Sequence, residues 1–247
     1  GLPGRVAATG VTRNALIICL LFASASVLAA RPVHSYTANY RLLFNGDHVG
    51  DARFSLQLTR DNQYSFEALT RPAGKMSADG TRHEVLEASS GILQRGTPVP
   101  EHYYTAVKTG DGTEMLEFFY DWKSMTLTRR GDKGQQKSAL QKQSQDKLSY
   151  LLRAMTLAAE HKNSAKVPLL TSAGTRQLSM RKKNRRYIST AAGRVLAQEI
   201  ELSYGIESPD RSLWLSVDHN YLPVLLEQKT GKGIVRMELK RILTRSR

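Results

Sequence analysis

Between residues 36 and 68 the chain reads Tyr36-Thr37-Ala38-Asn39-Tyr40-Arg41-Leu42-Leu43-Phe44, turns at Asn45-Gly46-Asp47, resumes as Arg53-Phe54-Ser55-Leu56-Gln57-Leu58, turns at Asp61-Asn62, and resumes as Tyr64-Ser65-Phe66-Glu67-Ala68. Apolar side chains fall on every second position. A strand sends successive side chains to opposite faces, so this period puts one face in a core and the other in water. Asn-Gly supplies the left-handed backbone of a tight hairpin turn. The stretch predicts an antiparallel meander with one dry face.

The pattern continues outward in both halves of the chain. Residues 82–88 form a fourth candidate strand, and Pro98 and Pro100 separate it from a fifth at 102–108. Asp111-Gly112 makes a hairpin to 115–120, followed by 125–130 and the turn Gly131-Asp132-Lys133-Gly134. Later strands are expected at 167–170, 176–180, 186–189, 195–204, around Trp214, at 224–228 and at 234–239. The period changes once. Leu148, Leu151, Leu152, Met155, Ala158 and Ala159 recur at three and four, which predicts one helix over 145–160 with an apolar stripe against the sheet. Ser144 precedes it, and Asp146 is expected in its first turn, where a carboxylate suits the helix dipole. Turns at regular intervals argue for a mainly β fold: an antiparallel, strongly curved sheet or open barrel with one main helix packed against it. Residues 31–247 read as a single mainly β domain.

The first thirty residues differ. Arg5 and Arg13 stand without an acid, an apolar run follows from residue 15, and small residues close it at Val27-Leu28-Ala29-Ala30. This is the form of a secretory signal peptide, cut after Ala29 or Ala30. At 16 residues the run is short for a membrane span, which needs about 20. The protein is therefore expected in the periplasm. The one cysteine, Cys19, would leave with the signal, so the mature chain would rest on its core without disulfides. Leu16-Ile17-Ile18 lacks the small residues of a lipoprotein signal, so no lipid is expected on Cys19. Across 247 residues, 40% hydrophobic and 23% charged side chains exclude a disordered chain, and a single cysteine excludes a zinc site of several thiolates.

Four stretches carry a resemblance: Tyr40 through Val49-Gly50, Phe119-Tyr120-Asp121-Trp122, Gln145-Asp146-Lys147-Leu148-Ser149, and Ser212-Leu213-Trp214-Leu215-Ser216-Val217-Asp218-His219-Asn220-Tyr221-Leu222-Pro223-Val224. In that order they resemble a bacterial exported family known as domain of unknown function 3108. The resemblance spans about residues 36–239. It implies an exported, mostly β protein with no established activity, and it supplies no catalytic residues. Its shape is expected to be similar to the open barrels of lipoprotein carriers, which enclose an apolar cavity.

Local chemistry is sparse. His83-Glu84-Val85-Leu86-Glu87 is similar to a zinc-protease run, but position 87 is Glu where that motif needs His, and the stretch alternates like a strand. Asp218-His219 reads as an exposed turn rather than an acid–base pair, and Asp121 as a carboxylate closing a turn. The sequence has neither a Gly-x-Ser-x-Gly elbow nor a Gly-rich phosphate loop. No catalytic residue, metal or cofactor is expected. The net charge is +14, and Arg176, Arg181, Lys182, Lys183, Arg185 and Arg186 crowd into eleven residues without an acid. Such a run is either a solvated hairpin or an anion site. Tyr187 alone follows it, whereas single-strand binders interleave several aromatics, so nucleic acid is not the expected partner. Arg181, Lys182, Lys183, Arg185 and Arg186 are the candidate binding residues, with anionic lipid, lipopolysaccharide or wall polymer as partner and peripheral contact with a membrane. The expected function is that of a non-enzymatic envelope protein binding an amphiphilic or anionic component, or scaffolding partners. The alternative is a hydrolase acting on envelope glycans or lipids. A carrier needs a continuous apolar lining; an enzyme needs convergent polar groups in a cleft.

Overall fold

A computed structural model describes residues 33–73, 83–205 and 210–245. The expected signal segment, 1–30, lies outside the described residues. In chain order the strands are β1 (Tyr36–Phe44), β2 (Asp47–Leu58), β3 (Gln63–Pro72), β4 (Glu84–Gln94), β5 (Thr97–Thr109), β6 (Gly112–Asp121), β7 (Thr126–Gly131) and β8 (Gly134–Ala139). Helix α1 (Ser149–Ala159) follows, then β9 (Ser164–Thr171), β10 (Gly174–Thr190), β11 (Gly193–Tyr204), β12 (Arg211–Ser216), β13 (Leu222–Thr230) and β14 (Gly233–Arg245). All fourteen strands form one antiparallel sheet in the order β8-β7-β6-β5-β4-β3-β2-β1-β14-β13-β12-β11-β10-β9. The meander walks outward from β1 to β8 and returns from β9 to β14, so β1 and β14 meet at the centre, Phe44 opposite Val235. The edge strands β8 and β9 do not pair, and the barrel stays open.

The connection after β8 ties the two edges together. Leu140 N–H donates to the Met125 carbonyl at 2.8 Å. Gln145 then lies parallel to β9: its N–H donates to the Pro168 carbonyl and its carbonyl accepts from Leu170 N–H, each at 2.8 Å. Leu170 of β9 accordingly shares a small apolar cluster with Tyr103, Phe118, Tyr120, Leu127 and Leu140 of the opposite arm.

Helix α1 fills the concavity and touches β5, β9, β10, β11 and β13. Every residue from Ser149 to Ala158 is buried, so the expected one-sided stripe is instead a plug covered all round. Its polar face is satisfied internally. Arg153 donates to Thr156 Oγ1 at 2.9 Å and pairs with Glu160 at 3.1 Å. The helix begins at Ser149, not 145, and Asp146 precedes it.

Three other expectations are corrected. Pro98 and Pro100 lie inside β5 rather than before it. They pair only with β4, and pairing with β6 starts at His102, so no ladder bond is lost on that side. Their carbonyls accept from Gln145 Nε2 at 3.0 Å and Trp122 Nε1 at 2.7 Å. Strand β8 was not expected, because all six of its residues are exposed and no alternation marks it. The two short strands around the basic run are one 17-residue strand, β10, with a register shift between Lys182 and Arg185. The run therefore occupies a strand, not a hairpin turn.

Gly91 marks a close backbone approach. It sits at the β4–β5 register shift, and a Cβ there would fall on the Val99 carbonyl oxygen, with Pro100 Cα at 2.8 Å and Glu101 N at 3.0 Å. All three are backbone atoms and cannot swing away. Gly91→Ala is expected to cost about 1–3 kcal/mol through overpacking. A denaturant midpoint equal to the parent's would show that the strands part freely here.

Candidate functional site

Asp146 anchors the inside of the molecule. It is fully buried just before α1. Its Oδ1 accepts Leu148 N–H at 2.9 Å and Ser149 N–H at 2.8 Å, taking up two of the orphan donors of the helix start. Ser149 Oγ accepts Asp146 N–H at 2.9 Å in return. Oδ2 accepts from Ser89 Oγ at 2.8 Å and from Tyr120 Oη at 3.3 Å, and Ser89 also bonds Tyr64 Oη at 3.2 Å. Burial pushes the Asp146 carboxyl up to about 6 from its usual 3.8, against the hydrogen bonds, which pull the other way. The same burial raises the Tyr64 and Tyr120 phenols well above 10, so both stay neutral donors.

Two adjoining cavities open beside this anchor. The larger, about 770 Å³, lies between the β4–β8 arm and the end of β9. Val85, Val107, Leu116, Phe118 and Leu170 give it apolar walls. The smaller, about 440 Å³, lies against α1 and is walled by Phe54, Leu151, Leu169, Leu226 and Met237. Glu87, Lys147 and Thr171 line both. Glu87 accepts from the buried Tyr103 hydroxyl at 2.5 Å, and Lys147 is exposed. Each volume falls in the range of small-ligand sites.

A cationic cluster closes the smaller cavity. Strand register builds it: Leu178 faces Tyr204 and Leu202 faces Arg211, so Arg176, Tyr204 and Arg211 share the inner face with these buried leucines. The Arg176 and Arg211 guanidinium carbons lie 4.5 and 5.0 Å from the Tyr204 ring centroid. Arg211 Nη1 donates to Tyr204 Oη at 2.7 Å. Arg211 Nε is buried without an acceptor among the described residues. Arg211, Tyr204 and Lys147 carried no sequence signal. Lys147 lies some sixty residues before the other two, and none of the three belongs to a binding motif.

The five cations read from the sequence are divided between two faces of β10. Arg181 pairs with Glu201 at 2.5 Å, and Lys183 reaches the same carboxylate at 3.7 Å. Arg186 lies 4.3 Å over the ring of the buried Trp214. Lys182 Nζ donates to the Glu160 carbonyl at 2.6 Å, where a cation complements the helix C-terminus, and burial lowers its pKa. Arg185 donates to Gln198 and Tyr221, each at 3.2 Å. The β9 ladder reaches β10 only as far as Arg181, and Lys182 N–H bonds the Asn163 carbonyl at 2.8 Å, so the β10 edge opens after Lys182. Charges on such an edge oppose pairing with another chain.

The remaining candidates fall apart. Asp121 is exposed and accepts Lys123 and Ser124 N–H at 3.1 and 2.9 Å, and the Ser124 bonds hold its carboxyl below the usual range. Asp218 and His219 sit in a short 3₁₀ turn; Ser216 Oγ meets His219 Nδ1 at 2.7 Å, but Ser216 is fully buried and this contact fixes the turn. His83 bonds the Lys108 carbonyl at 3.3 Å. Among the described residues no three His, Cys, Asp or Glu side chains converge as metal ligands.

Fold and cleft together define an open, β-barrel-like protein plugged by one helix. The chain belongs to the DUF3108 family of proteins of unknown function, whose model matches residues 35–240. No curated protein matches it. Among solved structures it is similar to a β-barrel-like protein of domain of unknown function DUF1849 from Brucella abortus, at TM-score 0.59 and 8% identity over 85% of this chain and 97% of that one. At that identity the likeness is one of fold. A DUF1089 family protein from Pseudomonas aeruginosa also matches, at TM-score 0.40 and 14% identity over 70% and 87% of the two chains.

Proposed function

We propose that this is an exported envelope protein that binds an amphiphile in the cleft of its open barrel and performs no chemistry on it. The observation that carries the reading is the pair of adjoining cavities, each walled partly by apolar and partly by polar side chains, with Lys147, Arg176 and Arg211 beside the Glu87 carboxylate in their walls. Apolar walls suit an acyl chain, and the cations suit an anionic head. The basic, apolar and small-residue order of the first thirty residues supports export to the periplasm. The tightest polar network, around Asp146, lies beneath the cavities and serves the start of the helix. In this reading Arg181, Lys183 and Arg186 are the part of the basic run that would meet an anionic lipid, lipopolysaccharide or wall-polymer layer, in exchange for their contacts with Glu201 and Trp214.

The test is purification from the periplasmic fraction without detergent, followed by mass spectrometry of whatever the protein retains. The expected result is a chain starting near Arg31 that carries an acyl-chain compound at a sizeable fraction of one per protein. A clean protein that also fails to take up an apolar fluorescent probe would overturn the reading.

A further inference from the structure

We propose that Arg176, Tyr204 and Arg211 form an oxyanion subsite that holds the phosphate head of the bound amphiphile in the smaller cavity. The inference rests on the amphiphile reading above and adds a place and a chemistry to it. A guanidinium offers two edges. Tyr204 Oη occupies Nη1 of Arg211 at 2.7 Å, which leaves the Nε–Nη2 edge, and Nε is buried without an acceptor. That edge delivers two parallel N–H bonds to two oxygens of one anion. A buried donor left unmet is costly, so the subsite is incomplete until an acceptor enters. Arg176 brings a second guanidinium to the same ring, and among the described residues Arg211 makes no ion pair that would compete. Cation–π contact with the Tyr204 ring holds both guanidiniums near it beforehand. The apolar wall of Phe54, Leu151, Leu169, Leu226 and Met237 begins in the same cavity, so head and chain are recognised side by side.

The experiment compares dodecyl phosphate, dodecyl glucoside and inorganic phosphate by calorimetric titration below micelle concentrations. The expected result is dodecyl phosphate bound about tenfold to a hundredfold more tightly than the glucoside, which is about 1.4–2.8 kcal/mol. Arg176→Gln combined with Arg211→Gln should bring the two detergents to parity by weakening dodecyl phosphate far more than the glucoside. Lys183→Gln with Arg186→Gln, in the basic run, should leave the preference intact. Arg211→Lys keeps the charge and removes the two-pronged edge, and should lose most of the preference. If the double variant loses glucoside binding, the cleft itself is damaged and Arg211→Lys decides.

Parity in the parent protein, a preference that survives Arg211→Lys and the double variant, or one that follows the basic run would each overturn the subsite while the amphiphile reading stands. Inorganic phosphate binding as tightly as dodecyl phosphate would replace it with a free-anion site. Binding of neither detergent would overturn both.

Discussion

Asp146→Ala is expected to lower the thermal midpoint by about 10 °C. The change strands the buried Leu148 and Ser149 N–H groups and removes the acceptor of the Ser89 and Tyr120 hydroxyls. An orphaned buried polar group costs about 1–3 kcal/mol, so a net loss of about 3 kcal/mol is a cautious figure after some local rearrangement. In a domain of this size each kcal/mol moves the midpoint by about 2–4 °C. Asp146→Asn keeps the acceptor for both backbone donors, and Ser89 can turn to accept from the new amide. It is expected to stay within about 1 kcal/mol of the parent at neutral pH, well short of the alanine variant.

The pair also reports the raised pKa. The folded carboxyl, near 6, holds its proton more tightly than the unfolded one, near 3.8. The stability this contributes is complete below about pH 4 and is lost as the pH rises through about 6. At 1.36 kcal/mol per pKa unit, the loss is on the order of 3 kcal/mol. Carboxylates held low, such as Glu84 and Asp121, act in the opposite sense, so the readout is the difference between the parent and Asp146→Asn. That difference should favour the parent at pH 5 relative to pH 7.5. A constant difference across that window would mean that Asp146 titrates as an ordinary carboxyl.

Leu152→Ala in the plug is expected to cost about 2–5 kcal/mol, the range for a fully buried leucine whose surroundings cannot collapse. Leu152 is 0% exposed, and the sheet curves around its helix. Strands held by ladders on both sides cannot follow the shrinking side chain inward, which favours the upper half of that range. Leu86, 38% exposed on β4, is the control, with Leu86→Ala expected within about 0.5 kcal/mol. Equal denaturant midpoints for the two variants would show that α1 rests loosely in the concavity.

Local periodicity is legible where one face of a strand is dry and the other wet. Strands β2 and β3 alternate because their inner residues, Phe54 and Phe66 among them, are buried while their neighbours meet solvent; in β1 the alternation breaks, with Thr37 buried beside Ala38 and Leu43 buried in place of Leu42 after a register shift. Strand β8 escaped notice because both its faces are wet. Strand β10 was split because its cations mask a strand that bulges rather than turns. The all-round burial of α1 was equally hidden. Ser149, Arg153 and Thr156 are polar, yet they are buried because the sheet is curved enough to cover them.

By itself the sequence determined the strand-rich class, the helix after β8, the family and the absence of a local catalytic motif, because each of these is written in residues a few positions apart. Only the tertiary structure decided where the polar groups meet. The β10–β11 and β11–β12 registers bring Arg176, Tyr204 and Arg211 onto one inner face, and the strap from β8 to β9 sinks Asp146 against Ser89 and Tyr120. The physical reason is that alternation shows only that a side chain faces inward. Which other inward-facing side chain it meets depends on the pairing of strands distant in sequence, and no local periodicity records that pairing.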